Sequence, residues 1–280
     1  MIPVTVVIPV KNEEANLPAC LKTLNQINEV IVVDSGSTDN TIEIVKKYDV
    51  KLIKFEWNGK FPKKRNWVLH NYDFKTDWVL FLDADERLTD DFKNELDLRL
   101  KEDKYTGYWI SYNDYFQGKL LRHGVPMRKL ALFKVGSAEY ERIDEDYWSE
   151  LDMEIHEHPI IKGDLGLIQS PILHQDNTNL QRYIARHNNY STWEAARYFK
   201  LLNSDKEIWD KLTPRQYKKY KNIEKWWWSP VYFFYSYFIK RGFLDGQQGL
   251  TFAIMKSIYF YNIRCKIKEL RRNNKINIGK

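Results

Sequence analysis

Two aspartates one residue apart, Asp83 and Asp85, close the apolar run Val79-Leu80-Phe81-Leu82. The run is short and rich in strand formers, which predicts a buried strand. Positions i and i+2 at a strand end face the same side, so the two carboxylates can converge on one point. Left unpaired there, they would repel each other at a cost that an apolar core does not offset. A hard divalent cation removes that cost, and oxygen ligands suit Mg²⁺ or Mn²⁺. The plainer reading is an acidic turn leading into a helix capped near Thr89-Asp90-Asp91.

The elements that must position this pair alternate in type. Strand patterns at 4–9, 30–33, 51–55 and 78–82 are separated by helix patterns at 13–24, 40–47 and 63–71. Strands spaced about 25 residues apart with helices between them imply βαβ crossovers and a parallel sheet. Ligands of such sheets bind beyond the carboxyl ends of the strands. The polar clusters fall there: Lys11-Asn12-Glu13-Glu14, then Asp34-Ser35-Gly36-Ser37-Thr38-Asp39, then Asp83-Ala84-Asp85. From 105 to 174 short aromatic and β-branched runs predict a mixed or antiparallel extension of the sheet. Beyond 177 the pattern turns helical, with a helix over 180–202 and another over 205–224 broken at Pro214.

Read in order, Val7-Ile8-Pro9-Val10-Lys11-Asn12-Glu13-Glu14, Val32-Val33-Asp34-Ser35-Gly36-Ser37-Thr38-Asp39 and Leu82-Asp83-Ala84-Asp85 resemble a family 2 glycosyltransferase. The resemblance covers roughly residues 1–175 and implies the GT-A nucleotide-sugar-binding fold, a Rossmann-like α/β domain with a mostly parallel sheet. The Asp34–Asp39 motif and the His156-Glu157 pair are also similar to the bacterial branch that includes lipopolysaccharide core β-glucosyltransferases. The Q-x-x-R-W motif of the family's processive synthases is missing, which favours single addition.

The resemblance implies an inverting, metal-dependent transfer of a sugar from a nucleotide-sugar, with UDP favoured, to a hydroxyl acceptor. Pro9, Asn12 and Glu14 would flank the base and ribose, with Pro9 in a turn. Asp34 would accept from a pyrimidine ring N–H; its plainer role is to cap the following turn. Arg65, in Lys63-Lys64-Arg65-Asn66, would offer a forked donor to the diphosphate, or else sit on a solvated helix face. Asp83 would serve the ribose or the ion, Asp85 the ion, and His174 would complete the metal site. Glu157 is the expected base for the acceptor hydroxyl, with Asp152, Glu154 and the Asp144-Glu145-Asp146 cluster as alternatives. His156-Glu157-His158 is not a zinc motif, because its histidines lie two apart and Pro159 follows. A haloacid dehalogenase-type phosphatase also carries D-x-D after an apolar strand, but Arg87 occupies the motif's fifth position. A nucleotide-binding module without catalysis is the remaining alternative. A dinucleotide-binding oxidoreductase is excluded by the lack of glycines after the first strand.

Charge is distributed unevenly. Residues 206–280 carry 17 Lys and Arg against 5 Asp and Glu, while residues 1–205 carry 27 against 33. Within the basic part, Trp226-Trp227-Trp228 and the aromatic run to Phe238 end at Lys240-Arg241. About a dozen apolar residues are too few for a bilayer span of roughly 20. Trp and Tyr flanked by cations suit an anionic headgroup layer, and packing onto the catalytic body or onto a second subunit is the alternative. Nucleic acid is disfavoured, since single-strand platforms intersperse their aromatics along a basic groove. Cys20 and Cys265 form no metal spacing and suggest a reducing compartment. The N-terminus reads as a first strand and not as a signal peptide. The expectation is a catalytic domain over 1–176 and a helical extension over 177–280. The location expected is the cytoplasm, at the inner face of the membrane, with a glycan or glycolipid acceptor.

Overall fold

A computed structural model of the chain describes residues 1–143, 151–154, 157–176, 178–210 and 212–278, with side chains as far as Asn273. The 144–146 cluster and His156 lie outside the described residues. The first unit, Met1–Leu120 with Pro126–Thr178, holds the sheet. Its strands are β1 (Ile2–Val10), β2 (Ile27–Asp34), β3 (Lys51–Lys54), β4 (Trp78–Phe81), β5 (Glu86–Arg87), β6 (Gly107–Phe116), β7 (Lys119–Leu120), β8 (Arg128–Lys134), β9 (Ala138–Tyr140), β10 (Pro159–Ile161) and β11 (Leu165–His174). Its helices are α1 (Leu17–Leu21), α2 (Thr41–Lys47), α3 (Lys64–Asn71) and α4 (Asp90–Glu102).

The main sheet runs β3-β2-β1-β4-β8-β6-β11-β5, with β7 beside β6, while β9 and β10 form a separate ribbon. β1 pairs in parallel with β2 and β4, and β2 in parallel with β3. β8 then enters antiparallel between β4 and β6, and β11 runs parallel to β6. Strand order reverses direction between β1 and β4, the switch point at which open α/β sheets bind ligands.

Alternation along β1 explains the layers. Val4, Val6, Ile8 and Val10 join one core with Leu17 of α1, Val45 of α2 and Phe92 and Leu96 of α4. Val7 faces the other core with Val79, Phe133 and Val68 of α3. A sheet covered on both faces needs such near-continuous apolar strands. Thr89 caps α4 by accepting from Phe92 N–H, and Asp90 and Asp91 fill its first turn, as the plainer reading of that segment expects.

Two expectations are corrected. The helix expected over 13–24 is only α1, because the preceding backbone is bonded elsewhere. Asn12, Glu13 and Glu14 N–H donate to Ser37 Oγ, Thr41 Oγ1 and Asp39 Oδ2, with Asn12 at φ 58°. Pro9 is not in a turn: it is buried inside β1, paired with Val33, and the chain turns at Asn12. Pairing with β4 ends at Val7, so the N–H that proline lacks is not needed on that side.

The second unit comprises Leu121–Val125 and Asn179–Lys280. It contains α5 (Leu180–Leu202), α6 (Lys206–Asp210), α7 (Pro214–Asn222), α8 (Trp228–Phe234) and α9 (Gly246–Ile278), the last of which was not among the expected elements. Its core joins Ala195, Tyr198 and Leu201 of α5 to Tyr220 of α7 and Ile263 and Ile267 of α9. Pro214 starts α7 inside a capping box made by Thr213 and Gln216, which accounts for the break expected there.

Candidate active site

At the end of β4 the chain turns through Asp83-Ala84-Asp85. Leu82 N–H bonds Val7 O at 3.0 Å, and Asp83 N–H donates to Glu86 Oε2 at 3.0 Å. The carboxylates of Asp83, Asp85 and Glu86 offer oxygens within 4.8 Å of one another. β5 follows at once and pairs antiparallel with β11, setting His174 opposite Glu86. His174 Nε2 lies 3.4 Å from Asp85 Oδ2, while its Nδ1 meets Asp114 Oδ1 of β6 at 2.8 Å. The structure therefore brings together Asp83, Asp85 and His174, three of the expected residues. Two or three hard oxygens with one imidazole are a donor set that Mn²⁺ or Mg²⁺ accepts, so these residues fit a divalent ion.

Cations already compensate this cluster. Arg65 Nη2 donates to Asp83 Oδ1 at 2.7 Å and Lys129 Nζ to Asp83 Oδ2 at 2.6 Å. Lys129 also pairs with the buried carboxylate of Glu86. Burial opposes ionisation of Asp83, yet Lys129 and then Arg65 hold its carboxyl well below the usual range. For Glu86 burial, reinforced by Asp83 and Asp85, outweighs Lys129 and pushes it up to about 7. Burial acts to lower the His174 pKa, but Asp85 and Asp114 outweigh it and raise it to about 10. Asp85 remains below its ordinary value, since His174 outweighs burial.

The loops after β1 and β2 lock together beside this site. Asp34 accepts from Gly36 N–H at 3.0 Å and from Ser37 N–H and Oγ, so it caps the turn in which Gly36 takes φ 83°. Asn12 Oδ1 accepts from Thr38 N–H at 2.7 Å, and Glu14 Oε2 from both nitrogens of Asn40. Asn12, Glu14 and Asp34 thus hold the shape of the strand-end surface with their own side chains.

Arg65 is not on a solvated face. It lies in the segment Lys63-Lys64-Arg65, whose consecutive side chains reach in different directions. Lys63 Nζ bonds Glu157 Oε1 at 3.0 Å, both side chains being buried. Lys64 Nζ donates to Val10 O at 2.9 Å and Ser35 Oγ at 2.7 Å and lies 3.2 Å from Asp152 Oδ2. Burial pulls the Lys64 ammonium below its ordinary value, against Asp152 and Asp34. Glu154 accepts from Arg65 and Asn66 N–H at 2.8 and 3.0 Å, and its carbonyl accepts from Arg65 Nη1. Each of the acids considered for the base that lie among the described residues, Asp152, Glu154 and Glu157, is therefore bound to the start of α3. Glu157 lines a cleft with Trp57, Lys60, Phe61, Lys63 and Glu141.

Against known proteins, the profile described as Glycosyl transferase family 2 matches residues 5–156, more than half of the chain. The chain belongs to glycosyl transferase family 2. The match, together with the parallel β3-β2-β1-β4 half of the sheet and its acidic strand end, makes the first unit a GT-A fold. The phosphatase reading falls with it. The transferase is 26% identical over 275 residues to the lipopolysaccharide core biosynthesis glycosyltransferase LpsC of Rhizobium meliloti, covering 95% of this chain and 92% of that protein. It is also 26% identical over 275 residues to an uncharacterised glycosyltransferase of Rickettsia typhi, covering 93% and 85%. Among solved structures, S. aureus TarS in complex with UDP-GlcNAc is 15% identical, with 96% of this chain and 92% of that chain covered and a TM-score of 0.48.

Reading the sequence missed three residues of the transferase's acidic site: Glu86, Asp114 and Lys129. Glu86 is adjacent to the motif, and its burial was not legible. Asp114 and Lys129 arrive only through strand register. β4 and β8 pair Trp78 with Lys134 and Leu80 with Leu132, and Lys129, further along β8, reaches Asp83 Oδ2 with its Nζ at 2.6 Å. Asp114 lies directly opposite His174 in the β6–β11 ladder.

A titration consequence follows for His174. An imidazole can ligate an ion only after losing its proton, so ion and proton compete for it. With its pKa raised from 6.5 to about 10, an Mn²⁺ ion held by His174, the role proposed below, would bind about tenfold more tightly per pH unit between pH 7.5 and 8.5. Without the ion the same shift stabilises the fold below pH 6.5, and that contribution fades as pH climbs towards 10. Calorimetric titration of Mn²⁺ at several pH values measures the slope, which His174→Asn should flatten.

Proposed function

We propose that this family member is an inverting, divalent-metal-dependent transferase. It would move a sugar from a nucleotide-sugar, UDP being favoured, to a hydroxyl of a glycan or glycolipid in lipopolysaccharide core or related surface-glycan assembly. The observation that carries the reading is the convergence of Asp83, Asp85 and His174 at the switch point between β1 and β4, in a chain of this family. The likeness to LpsC over nearly the full chain supports the acceptor class. Residues 1–176 are assigned the catalysis, and 177–280 an accessory role.

In this reading Pro9, Asn12, Glu14 and Asp34 shape the surface for base and ribose. Asp85 and His174 would hold the ion, which when bound neutralises charge on the departing nucleoside diphosphate. Asp83, already engaged by Arg65 and Lys129, is assigned to the ribose side, and Arg65 to the diphosphate. Glu157 takes the proton of the acceptor hydroxyl as that oxygen forms its bond to the anomeric carbon. The bond from that carbon to the diphosphate breaks with its electrons staying on the phosphate oxygen, and attack opposite the leaving group inverts the centre. Trp57 and Phe61 beside the carboxylates of Glu141 and Glu157 give the cleft the mixed aromatic and acidic lining that suits a sugar. A panel of nucleotide-sugars with and without Mn²⁺ tests the whole reading; failure of every donor to bind would leave a non-catalytic module.

The same reading places the protein at an anionic membrane surface. No described helix is long and apolar enough to cross a membrane. In α8 and the π-helical turn after it, Tyr235–Ile239, Trp228 and Tyr232 pack on Phe260 of α9 while other apolar side chains face out. Ser229 and Ser236 are buried, and Ser229 Oγ bonds Ser257 O of α9 at 2.6 Å. Val231, Phe234, Tyr235 and Phe238, at helical i, i+3, i+4 and i+7, are exposed, as are Trp226 and Ile239. Lys225, Lys240 and Arg241 flank them, and no acid occurs from 225 to 244. Apolar rings bracketed by cations match the boundary between headgroups and acyl chains. The protein should sediment with vesicles containing phosphatidylglycerol at low salt and be released at high salt. Phe234→Ser with Phe238→Ser should weaken this at least about tenfold, each ring contributing over 1 kcal/mol of burial. If the vesicles do not bind and the chain is a dimer, the stripe belongs to a second subunit.

A further inference from the structure

Lys129 was not foreseen as part of the site, yet it is the side chain most committed to the acidic cluster. Its ammonium lies 2.6 Å from Asp83 Oδ2 and bridges to Glu86, whose side chain is 1% exposed. The Tyr112 ring lies 5.2 Å from it, so the charge has an aromatic face on one side and carboxylates on the other. Asp83 has Arg65 on its second oxygen, and Asp85 has His174. Of the three carboxylates that converge within 4.8 Å, two are therefore compensated by one lysine. Register holds it there: β8 is pinned between β4 and β6, and Lys129 itself pairs with Ile110.

We propose that Lys129 is a built-in countercation that opposes the divalent ion at the Asp83–Asp85–Glu86 cluster, whose Asp85 would hold it, and so keeps ion affinity low until a nucleotide is present. The inference rests on the metal-dependent reading proposed for this site. The physical basis is simple. An ammonium and a divalent cation cannot both sit against the same buried carboxylates without repelling each other. A donor diphosphate adds negative charge, which relieves that repulsion. The arrangement favours an ion that arrives with its nucleotide over an ion bound alone. A lysine that served only to stabilise the fold would act differently: its loss would weaken ion binding along with everything else.

Lys129→Met keeps the stem and removes the charge, and Lys129→Arg keeps the charge. Binding of Mn²⁺ alone, followed by electron paramagnetic resonance or calorimetry, should tighten at least tenfold in Lys129→Met. It should stay within threefold of the wild type in Lys129→Arg. The advantage that UDP gives to Mn²⁺ binding should shrink in Lys129→Met by the same factor. Lys129→Gln, which can still bond both carboxylates, is the substitute should the methionine variant fail to fold. Mn²⁺ affinity that is equal or weaker in the uncharged variants overturns the role of Lys129 and leaves the metal reading standing. If the wild type binds no Mn²⁺ even with UDP, the metal reading falls and this inference with it.

Discussion

Asp85→Ala should reduce transfer by at least about a thousandfold, since an ion at a leaving diphosphate contributes several kcal/mol of transition-state stabilisation. The loss should appear in turnover at saturating donor as well as in Mn²⁺ binding. The fold should survive, because His174 keeps Asp114 as a partner and the cluster loses one of three mutually repelling carboxylates. The melting temperature of the ion-free protein should therefore move by no more than a few degrees, about 1 kcal/mol for a chain of this size. Asp85→Asn separates charge from shape and should behave like the alanine variant in ion binding. Retained Mn²⁺-dependent transfer in Asp85→Ala would shift the ion to Asp83 and Glu86 and remove the division of labour proposed between the two aspartates.

Glu157→Gln should lower transfer by about a hundredfold to ten-thousandfold, the usual range for loss of a general base. UDP should bind as in the wild type. The amide oxygen can still accept from Lys63 Nζ, so the buried hydrogen bond at 3.0 Å is retained while the basicity and the charge opposite Lys63 are lost. Single-turnover transfer measured beside calorimetric UDP binding separates the two effects. The geometry also ranks the alternatives. Glu154 spends its carboxylate on the N–H groups of Arg65 and Asn66, and burial pushes its pKa up against those bonds. Its replacement should disturb the start of α3 and therefore donor binding, which is a different signature. Asp152, near Lys64, is the candidate to inherit the role if Glu157→Gln transfers normally.

All three acids are tied to the start of α3, so the proposed base and donor residues meet in one short segment. Lys63 touches Glu157, Lys64 reaches the ends of β1 and β2, and Arg65 reaches Asp83. A substitution at Lys64 should for that reason affect donor and acceptor steps together, whereas one at Glu157 should affect transfer alone.

Much of the first unit was legible from local pattern. Alternating strand and helix periods placed β1 to β4, and the polar clusters fall at their ends. Such patterns are local because a strand buried on both faces must be apolar throughout and must end where side chains meet water. The Asp83-Ala84-Asp85 spacing carried its own geometry for the same reason, since two residues along a strand end share a face. His174 was found as a histidine ending a strand-like run.

Other features depended on which strands meet. Lys129 and Asp114 lie 46 and 60 residues from their partners, and only the β4–β8 and β6–β11 ladders bring them to Asp83 and His174. Pairing register is a collective property of the sheet, and a one-residue slip would carry each side chain to the opposite face. The same holds for Asn12 and Glu14, whose side chains are engaged by a loop some 25 residues away, whereas the cap at Asp34 is local and was expected. Composition alone could not say whether the aromatic block packs inward. The fold turned Ser229, Trp228 and Tyr232 to α9 and Trp226, Phe234, Tyr235 and Phe238 to the outside. Sequence by itself determined the strand ends and the acids they carry, because both are encoded within a few residues. Tertiary structure alone decided which cations compensate those acids, because charge compensation depends on distance in space and not along the chain.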